Sequence, residues 1–327
     1  MAERLVFTGK QAVEVETFDV GGPGKGEVRV RTLKTLISIG TETIVYNRLF
    51  DEGTHYDTWV KYPFYPGYSC IAEVEAVGDD VEGLAAGDRV ACRKGHASHH
   101  VVPADEAYPV PEGLGAGEAA WFALGKIAFM GAKAVRYGLG ERVLVIGAGP
   151  VGQMTVRWAN AGGAETVIVA DPVGARLDMA AAGGASVTIP KGADACEEDV
   201  RAANGGELPD VVVDTTGNPV VFAAALGLAR RFGRVLLLGD TGRPAGQHLT
   251  PDVVLKGLTI VGAHDPHVTQ EWTEARIVGL YFRLVETGRF RIAGLNTHKF
   301  SPDACKEAYE LVSQKRGETM GVVFDWT

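Results

Sequence analysis

Two rhythms of apolar and polar positions divide the chain. Over its first third, short runs at 13–18, 27–32 and 69–77 alternate or are β-branched, with turn clusters such as Gly21-Gly22-Pro23-Gly24 between them. Gly87-Asp88-Arg89-Val90 leads into another strand and 99–102 into one more, the pattern of a small, irregular β-barrel. From about residue 118 the period lengthens, and 119–134 carries Ala, Leu and Met at helical spacing. Strands are then predicted over 142–146, 166–170, 186–189, 211–214, 234–238 and 259–261, with helices over 151–161, 176–182 and 220–230. Short all-apolar strands alternating with helices mean a parallel sheet covered on both faces. Two more helical stretches, near 271–287 and 302–314, precede a closing strand over 321–325.

Bulk properties narrow the partners. A chain of 327 residues exceeds one ordinary core and suits two domains. A net charge of −9 offers no basic excess to neutralise phosphates, which argues against nucleic acid and anionic membranes. Cys70, Cys92, Cys196 and Cys305 lie far apart, so no CxxC pair exists, and they read as reduced core residues. The start of the chain lacks the apolar stretch of a signal peptide and no segment is long enough to span a bilayer, so a cytoplasmic location is expected.

The chemistry begins at Gly147-Ala148-Gly149-Pro150-Val151-Gly152, which the strand 142–146 feeds directly and the helix 151–161 follows. In such a fingerprint one glycine makes the tight turn, one lets the backbone approach a pyrophosphate, and one packs helix against strand. The helix N-terminus supplies free N–H groups and partial positive charge for the diphosphate. Asp171 ends the next strand, 22 residues beyond Gly149, where a carboxylate accepts from ribose hydroxyls and repels a 2′-phosphate. This predicts NAD rather than NADP; Arg176 tempers the preference, because a nearby arginine accepts a phosphate.

At this point the chain resembles the medium-chain dehydrogenase/reductase superfamily. Pro66-Gly67 opening the strand 71–77, Gly87-Asp88-Arg89-Val90, the fingerprint itself, Asp214-Thr215-Thr216-Gly217 and the ending 304–324 carry the resemblance over nearly the whole length. It implies an α/β protein: a GroES-like β-barrel catalytic domain over 1–122, a Rossmann doubly wound parallel sheet over 123–266, and a segment over 267–327 returning to the catalytic domain. It also implies an active site in the cleft between domains, cofactor contacts at Thr216 and Gly239, and a homodimer paired through the strand 259–261.

The departures matter more. Zinc-dependent members carry Cys where this chain has Ile39, His-Glu where it has Tyr68-Ser69, and a third ligand where it has Phe122. Isoleucine and phenylalanine cannot bind Zn²⁺ and a lone tyrosine is a poor ligand, so no catalytic metal is expected. The variant Gly40-Thr41-Glu42 with these lost ligands most resembles the bacteriochlorophyllide (hydroxyethyl) dehydrogenase-like branch. Without metal, a proton donor must serve the carbonyl oxygen. The resemblance places Tyr68 where a ligating His projects, Lys126 beside the nicotinamide, Thr41 at a proton-relaying hydroxyl and Glu42 at an acid behind it. Each also has a packing reading: Tyr68 sits in an aromatic run, and Lys126 could extend to solvent. His96, His99 and His100 resemble a metal tract, but core or solvated histidines are favoured there. His264, in Ala263-His264-Asp265-Pro266-His267, is a candidate substrate contact.

Residues 46–68 hold eight aromatic side chains, among them Tyr46 and Trp59. Such density suits a pocket that stacks on a sugar, cyclitol or other ring, as well as a core. The sequence therefore predicts zinc-independent, NAD(H)-dependent interconversion of a secondary alcohol and ketone on a small, polyol-like substrate. The competing readings are reduction of an activated C=C bond and a dinucleotide-binding protein without catalysis.

Overall fold

Runs of Val, Ile and Leu bounded by glycine turns build two separate sheets. The computed structural model describes all 327 residues, and they fall into two units. The first comprises Met1–Ala123, Glu274–Glu286 and Ile292–Thr327; the second comprises Leu124–Thr273 and Thr287–Arg291.

The first unit opens with an antiparallel hairpin, β1 (Ala2–Gly9) and β2 (Ala12–Phe18). There follow β3 (Glu27–Leu36), α1 (Ile39–Asn47), α2 (His55–Trp59), β4 (Cys70–Val77), β5 (Arg89–Cys92), β6 (His99–Pro103), β7 (Tyr108–Pro109) and α3 (Ala116–Ala119). The helix α4 (Phe122–Val135) carries the chain into the second unit. That unit runs β8 (Arg142–Ile146), α5 (Pro150–Ala161), β9 (Thr166–Ala170), α6 (Gly174–Ala182), β10 (Val187–Ile189), α7 (Glu197–Ala203), β11 (Val211–Asp214), α8 (Pro219–Leu228), β12 (Arg234–Leu237), α9 (Asp252–Lys256) and β13 (Thr259–Gly262). The chain then returns through α10 (Glu274–Glu286), β14 (Asn296–Phe300), α11 (Cys305–Gln314) and β15 (Gly321–Asp325).

The second unit's sheet is parallel throughout, in the order β10-β9-β8-β11-β12-β13. This is a doubly wound sheet, and strand order reverses between β8 and β11, where such folds open a crevice at the strands' carboxyl ends. Val143, Leu144, Val145, Val167, Ile168, Val169, Val211, Val212 and Val213 are all buried, as strands covered on both faces require.

The first unit's sheet has the order β14-β15-β3-β4-β5-β7, with β6 also paired to β3. Its last strand therefore hydrogen-bonds to one of its first, Phe324 facing Thr35. Its core joins Leu5, Phe7, Ile37, Ile39, Val45, Tyr46, Tyr56, Tyr309 and Phe324. The helix α1 is an element that strand-period reading does not reveal: its mean apolarity is spread round the helix, because it lies within that core. No helix of the protein is long and apolar enough to cross a membrane.

Candidate functional site

Each unit carries half of the expected chemistry. In the second unit, Gly147 takes φ +90°, a conformation that favours glycine. A Cβ on Gly152 would lie 1.9 Å from the Gly147 carbonyl oxygen, so α5 packs against the turn as closely as backbone allows. Gly149 caps α5 and Pro150 opens it, leaving the N-terminal amides directed outward. Val151 follows in the first turn. Gly239 has the same close-approach role: a Cβ there would stand 2.4 Å from the backbone of Thr215 and Thr216.

Asp171 ends β9 and is nearly buried. Its Oδ2 accepts from the Ala148 amide at 2.7 Å and its Oδ1 from the Val173 amide at 2.8 Å, which ties it to the fingerprint turn. Each oxygen keeps a further lone pair for a ligand hydroxyl. The Arg176 guanidinium stands 4.0 Å from Asp171 Oδ2 and 4.0 Å from the Cβ position of Gly149, at the mouth of the cradle and not on an outer helix face. Thr216 donates its amide and hydroxyl to Asp214 Oδ1, at 2.8 and 2.7 Å. Burial pushes the Asp214 carboxyl up, and these hydrogen bonds offset only part of it. Sequence reading missed Thr215, whose hydroxyl reaches the Ile146 and Gly147 carbonyls at 2.9 Å each, and Gln153, whose amide joins Ala148 O to Arg176 O at 2.9 Å. Both secure the cradle by side chain-to-backbone bonds that no spacing rule anticipates.

Lys126 projects from α4, is only 3% exposed, and lies 2.9 Å from Asp265 Oδ1. The lysine is buried and ion-paired to a partly exposed aspartate, not extended to solvent. Asp265 belongs to the loop after β13, at the carboxyl edge of the sheet where Rossmann folds bind ligands. His264 in the same loop is exposed, and its amide donates to His267 Nδ1 at 3.2 Å.

In the first unit, Gly67 at φ +92° delivers the backbone to Tyr68; any Cβ at Gly67 would fall 2.8 Å from the His96 ring. The Tyr68 hydroxyl is hydrogen-bonded to Ser38 Oγ, and the Arg93 guanidinium lies 4.6 Å from the Tyr68 ring centroid. Behind them lies a buried polar network. Glu42 Oε1 accepts from the Ser38 amide at 2.7 Å, while Oε2 accepts from Tyr309 at 2.5 Å and from His96 Nε2 at 3.0 Å. His96 Nδ1 pairs with Thr35 Oγ1 at 2.7 Å, and Trp326 Nε1 donates to the same oxygen at 3.0 Å. Burial first, and then the Glu42 charge, hold the Tyr309 phenol well above its usual range, so it stays a donor. Glu42 is thus a buried anchor that touches no open surface. Thr41, beside it, is half-buried.

The aromatic run reads differently in three dimensions. Tyr46 is a core residue: it stacks on Tyr309 at 5.2 Å, tilts against Phe7 at 5.4 Å, and donates its hydroxyl to Gln11 O. It is buried and lines no ligand surface, a correction to the sequence expectation, because aromatic density along the sequence does not tell a ring-lined pocket from a ring-filled core. Trp59 is 52% exposed and edge-on to Phe64 at 5.0 Å. His99 pairs with Ser98 Oγ at 2.9 Å and approaches Glu75 at 3.6 Å.

The residues that the resemblance sets against zinc ligands are placed as follows. Ile39 packs in the core with Leu5, Phe7 and Val45. Phe122 is fully buried beside Phe282, and Ser69 donates its hydroxyl to Ala120 O at 2.5 Å. No group of three His, Cys, Asp or Glu side chains is arranged to hold a metal ion.

Comparison with known proteins agrees with this architecture. Residues 24–123 match the model of the alcohol dehydrogenase GroES-like domain, and residues 150–277 that of zinc-binding dehydrogenases. The chain belongs to the alcohol dehydrogenase-like medium-chain dehydrogenase/reductase superfamily. It is 28% identical to an L-threonine 3-dehydrogenase of Pyrococcus abyssi, with 99% of both chains covered, and 29% identical to one of Anaeromyxobacter dehalogenans, with 93% and 92% covered. Among solved structures, galactitol-1-phosphate dehydrogenase of Escherichia coli superposes with a TM-score of 0.82 at 20% identity, covering 99% of each chain. A short chain alcohol dehydrogenase of E. coli CFT073, solved with NADH, superposes with a TM-score of 0.82 at 21% identity, again over 99% of each.

Proposed function

We propose that the protein catalyses NAD(H)-dependent interconversion of a secondary alcohol and its ketone without a catalytic metal. The observation that carries this reading is the pairing of an intact dinucleotide cradle with buried hydrocarbon at Ile39 and Phe122, the positions that the resemblance sets against metal ligands. The same departures from the zinc-binding members favour the bacteriochlorophyllide (hydroxyethyl) dehydrogenase-like branch.

The amides of the Gly147 to Gly152 turn and the start of α5 hold the diphosphate; Asp171 takes the ribose hydroxyls, with Thr216 and Gly239 shaping the nicotinamide side. A bound nicotinamide supplies the hydride acceptor or donor. Tyr68 is the proposed group that gives or takes the proton at the substrate oxygen, and the Lys126 ammonium, held by Asp265, is the proposed charge-stabilising group of the nucleotide-binding unit. His264, Trp59 and Thr41 are proposed substrate contacts. The L-threonine 3-dehydrogenase relatives favour a small secondary alcohol as substrate, and the aromatic density over 46–68 is the support for a polyol- or sugar-like one. Arg176 at the cradle's mouth favours a second reading of the cofactor, NADP(H).

A homodimer through the open edge of β13 is also proposed. Val254 and Leu255 on the preceding α9, 85% and 78% exposed, supply apolar surface for it. Light scattering on purified protein should give twice the chain mass.

Tyr68→Phe and Lys126→Met should each lower turnover by ~10²-fold, the order expected when an acid–base or electrostatic group is lost, with NADH affinity little changed. The measurement is NAD(P)H consumption against panels of ketones and activated enones. Turnover of enones alone would replace the proposal with C=C reduction, and binding without turnover would replace it with a non-catalytic protein.

A further inference from the structure

Ser38 stands at the N-cap of α1, where serine ordinarily turns its hydroxyl onto an amide of the first helical turn. Here it makes no such bond. The Ser38 amide itself is satisfied by Glu42, whose Oε1 accepts from it at 2.7 Å. The serine hydroxyl, 5% exposed as a residue, is instead committed to the Tyr68 phenol. A local rule broken at a buried position is the pattern found at functional sites.

We infer that Ser38 and Arg93 are positioning residues for Tyr68, forming a Ser–Tyr–Arg relay in place of the metal centre. This rests on the reading of Tyr68 as the proton carrier. In alcohol oxidation the substrate O–H proton passes to the Tyr68 phenolate oxygen while the carbon loses hydride to the nicotinamide. Ser38 Oγ donates to the phenolate before transfer and accepts from the phenol after it, since a hydroxyl serves either role. The Arg93 guanidinium over the ring face favours the charged form.

The charged and titratable groups named around Tyr68 fall on three segments. Arg93 and His96 lie in the connection between β5 and β6, His96 against Gly67; Glu274 opens α10 and lies 3.9 Å from Arg93; and Glu42 lies on α1. Glu42 and His96 are fixed in their own network with Thr35 and Tyr309, which leaves Arg93 as the cation facing the ring.

The test uses the whole enzyme with NAD⁺ and whichever alcohol it turns over, comparing Ser38→Ala, Ser38→Thr, Arg93→Gln and Tyr68→Phe. Ser38→Ala is expected to lower turnover by roughly 10-fold or more and to move the midpoint of the rising, acid-side limb of its pH profile upward by about one unit. Ser38→Thr should restore both, and Arg93→Gln should move the midpoint the same way. Because Ser38 Oγ makes no cap bond, Ser38→Ala should leave the thermal midpoint nearly unchanged. A separate readout is the titration of the Tyr68 ring carbon in ¹³C-tyrosine-labelled protein, assigned by its loss in Tyr68→Phe, which should shift with the kinetic midpoint. If Tyr68→Phe is inactive while Ser38→Ala keeps the wild-type pH profile and ring titration, the relay is overturned and Tyr68 stands alone. If Tyr68→Phe is fully active, the underlying reading fails and the relay with it.

Discussion

The dinucleotide cradle and the Tyr68 surroundings are built from opposite materials. The cradle is nearly all backbone: glycines whose missing Cβ atoms permit approaches of 1.9 Å and 2.4 Å from the Cβ position, with amides directed at a ligand. Around Tyr68, side chains from Thr35, Ser38, Glu42, His96, Tyr309 and Trp326 hold one another through hydrogen bonds spanning almost the whole sequence. The first material tolerates no added atoms; the second tolerates no lost partner. Variants should separate the two.

The largest effect is expected at Glu42. Removing one member of a buried charged and hydrogen-bonded set leaves the others unpaired, so Glu42→Ala should cost about 4 kcal/mol of stability. Chemical denaturation would read it, and NADH affinity of the folded fraction should persist, since the cradle lies in the other unit. Persistence of full stability would show the network to be ornamental. Next comes Gly152→Ala, whose methyl meets the Gly147 carbonyl. It should weaken NADH binding by ~10²-fold through a displaced turn costing about 3 kcal/mol, measured by nucleotide fluorescence. Asp171→Ala should have a smaller effect, lowering NADH affinity by ~10-fold while leaving or raising that for NADPH. An unchanged ratio would hand the cofactor preference to Arg176.

The smallest contrast is in acid. At Asp325, burial alone would raise the carboxyl, but hydrogen bonds from Lys34, Thr327 and Lys299 outweigh it and hold the group well below its usual range. A depressed carboxyl contributes stability above its unfolded value of ~3.9, and that contribution is lost as pH falls through the lower folded value. At Asp214 burial dominates and raises the group, so its contribution is full below ~3.9 and lost as pH rises through the higher folded value. Asp325→Asn and Asp214→Asn should therefore tilt the pH dependence of unfolding, followed between pH 3 and 6, in opposite directions.

The same difference in material decided what could be read in advance. The strands 142–146, 166–170 and 211–214 were legible to the residue, because a strand covered on both faces announces itself as an apolar run between turns. The fingerprint glycines were legible because their spacing is local. The helix α1 was not, nor was the hairpin strand β1, since each takes its apolar partners from remote segments. Tyr46 looked like a pocket residue for the same reason: the rings that bury it, Phe7 and Tyr309, lie at opposite ends of the chain. Ser38 was invisible because its signal is a missing cap, which exists only once the helix is drawn. Lys126 was visible as a lone charge in an apolar helix, but its partner Asp265 was not, as nothing in the intervening residues links them.

The pairing of β15 with β3 has a consequence for how the molecule is made. Residues 124–273 hold every strand of the parallel sheet in one continuous stretch, so that sheet can assemble while the ribosome is still at work. The other sheet cannot close until β15 has been made, and its early strands must wait with an open edge. Deleting the last dozen residues should accordingly leave a nucleotide-binding body attached to an aggregation-prone remainder.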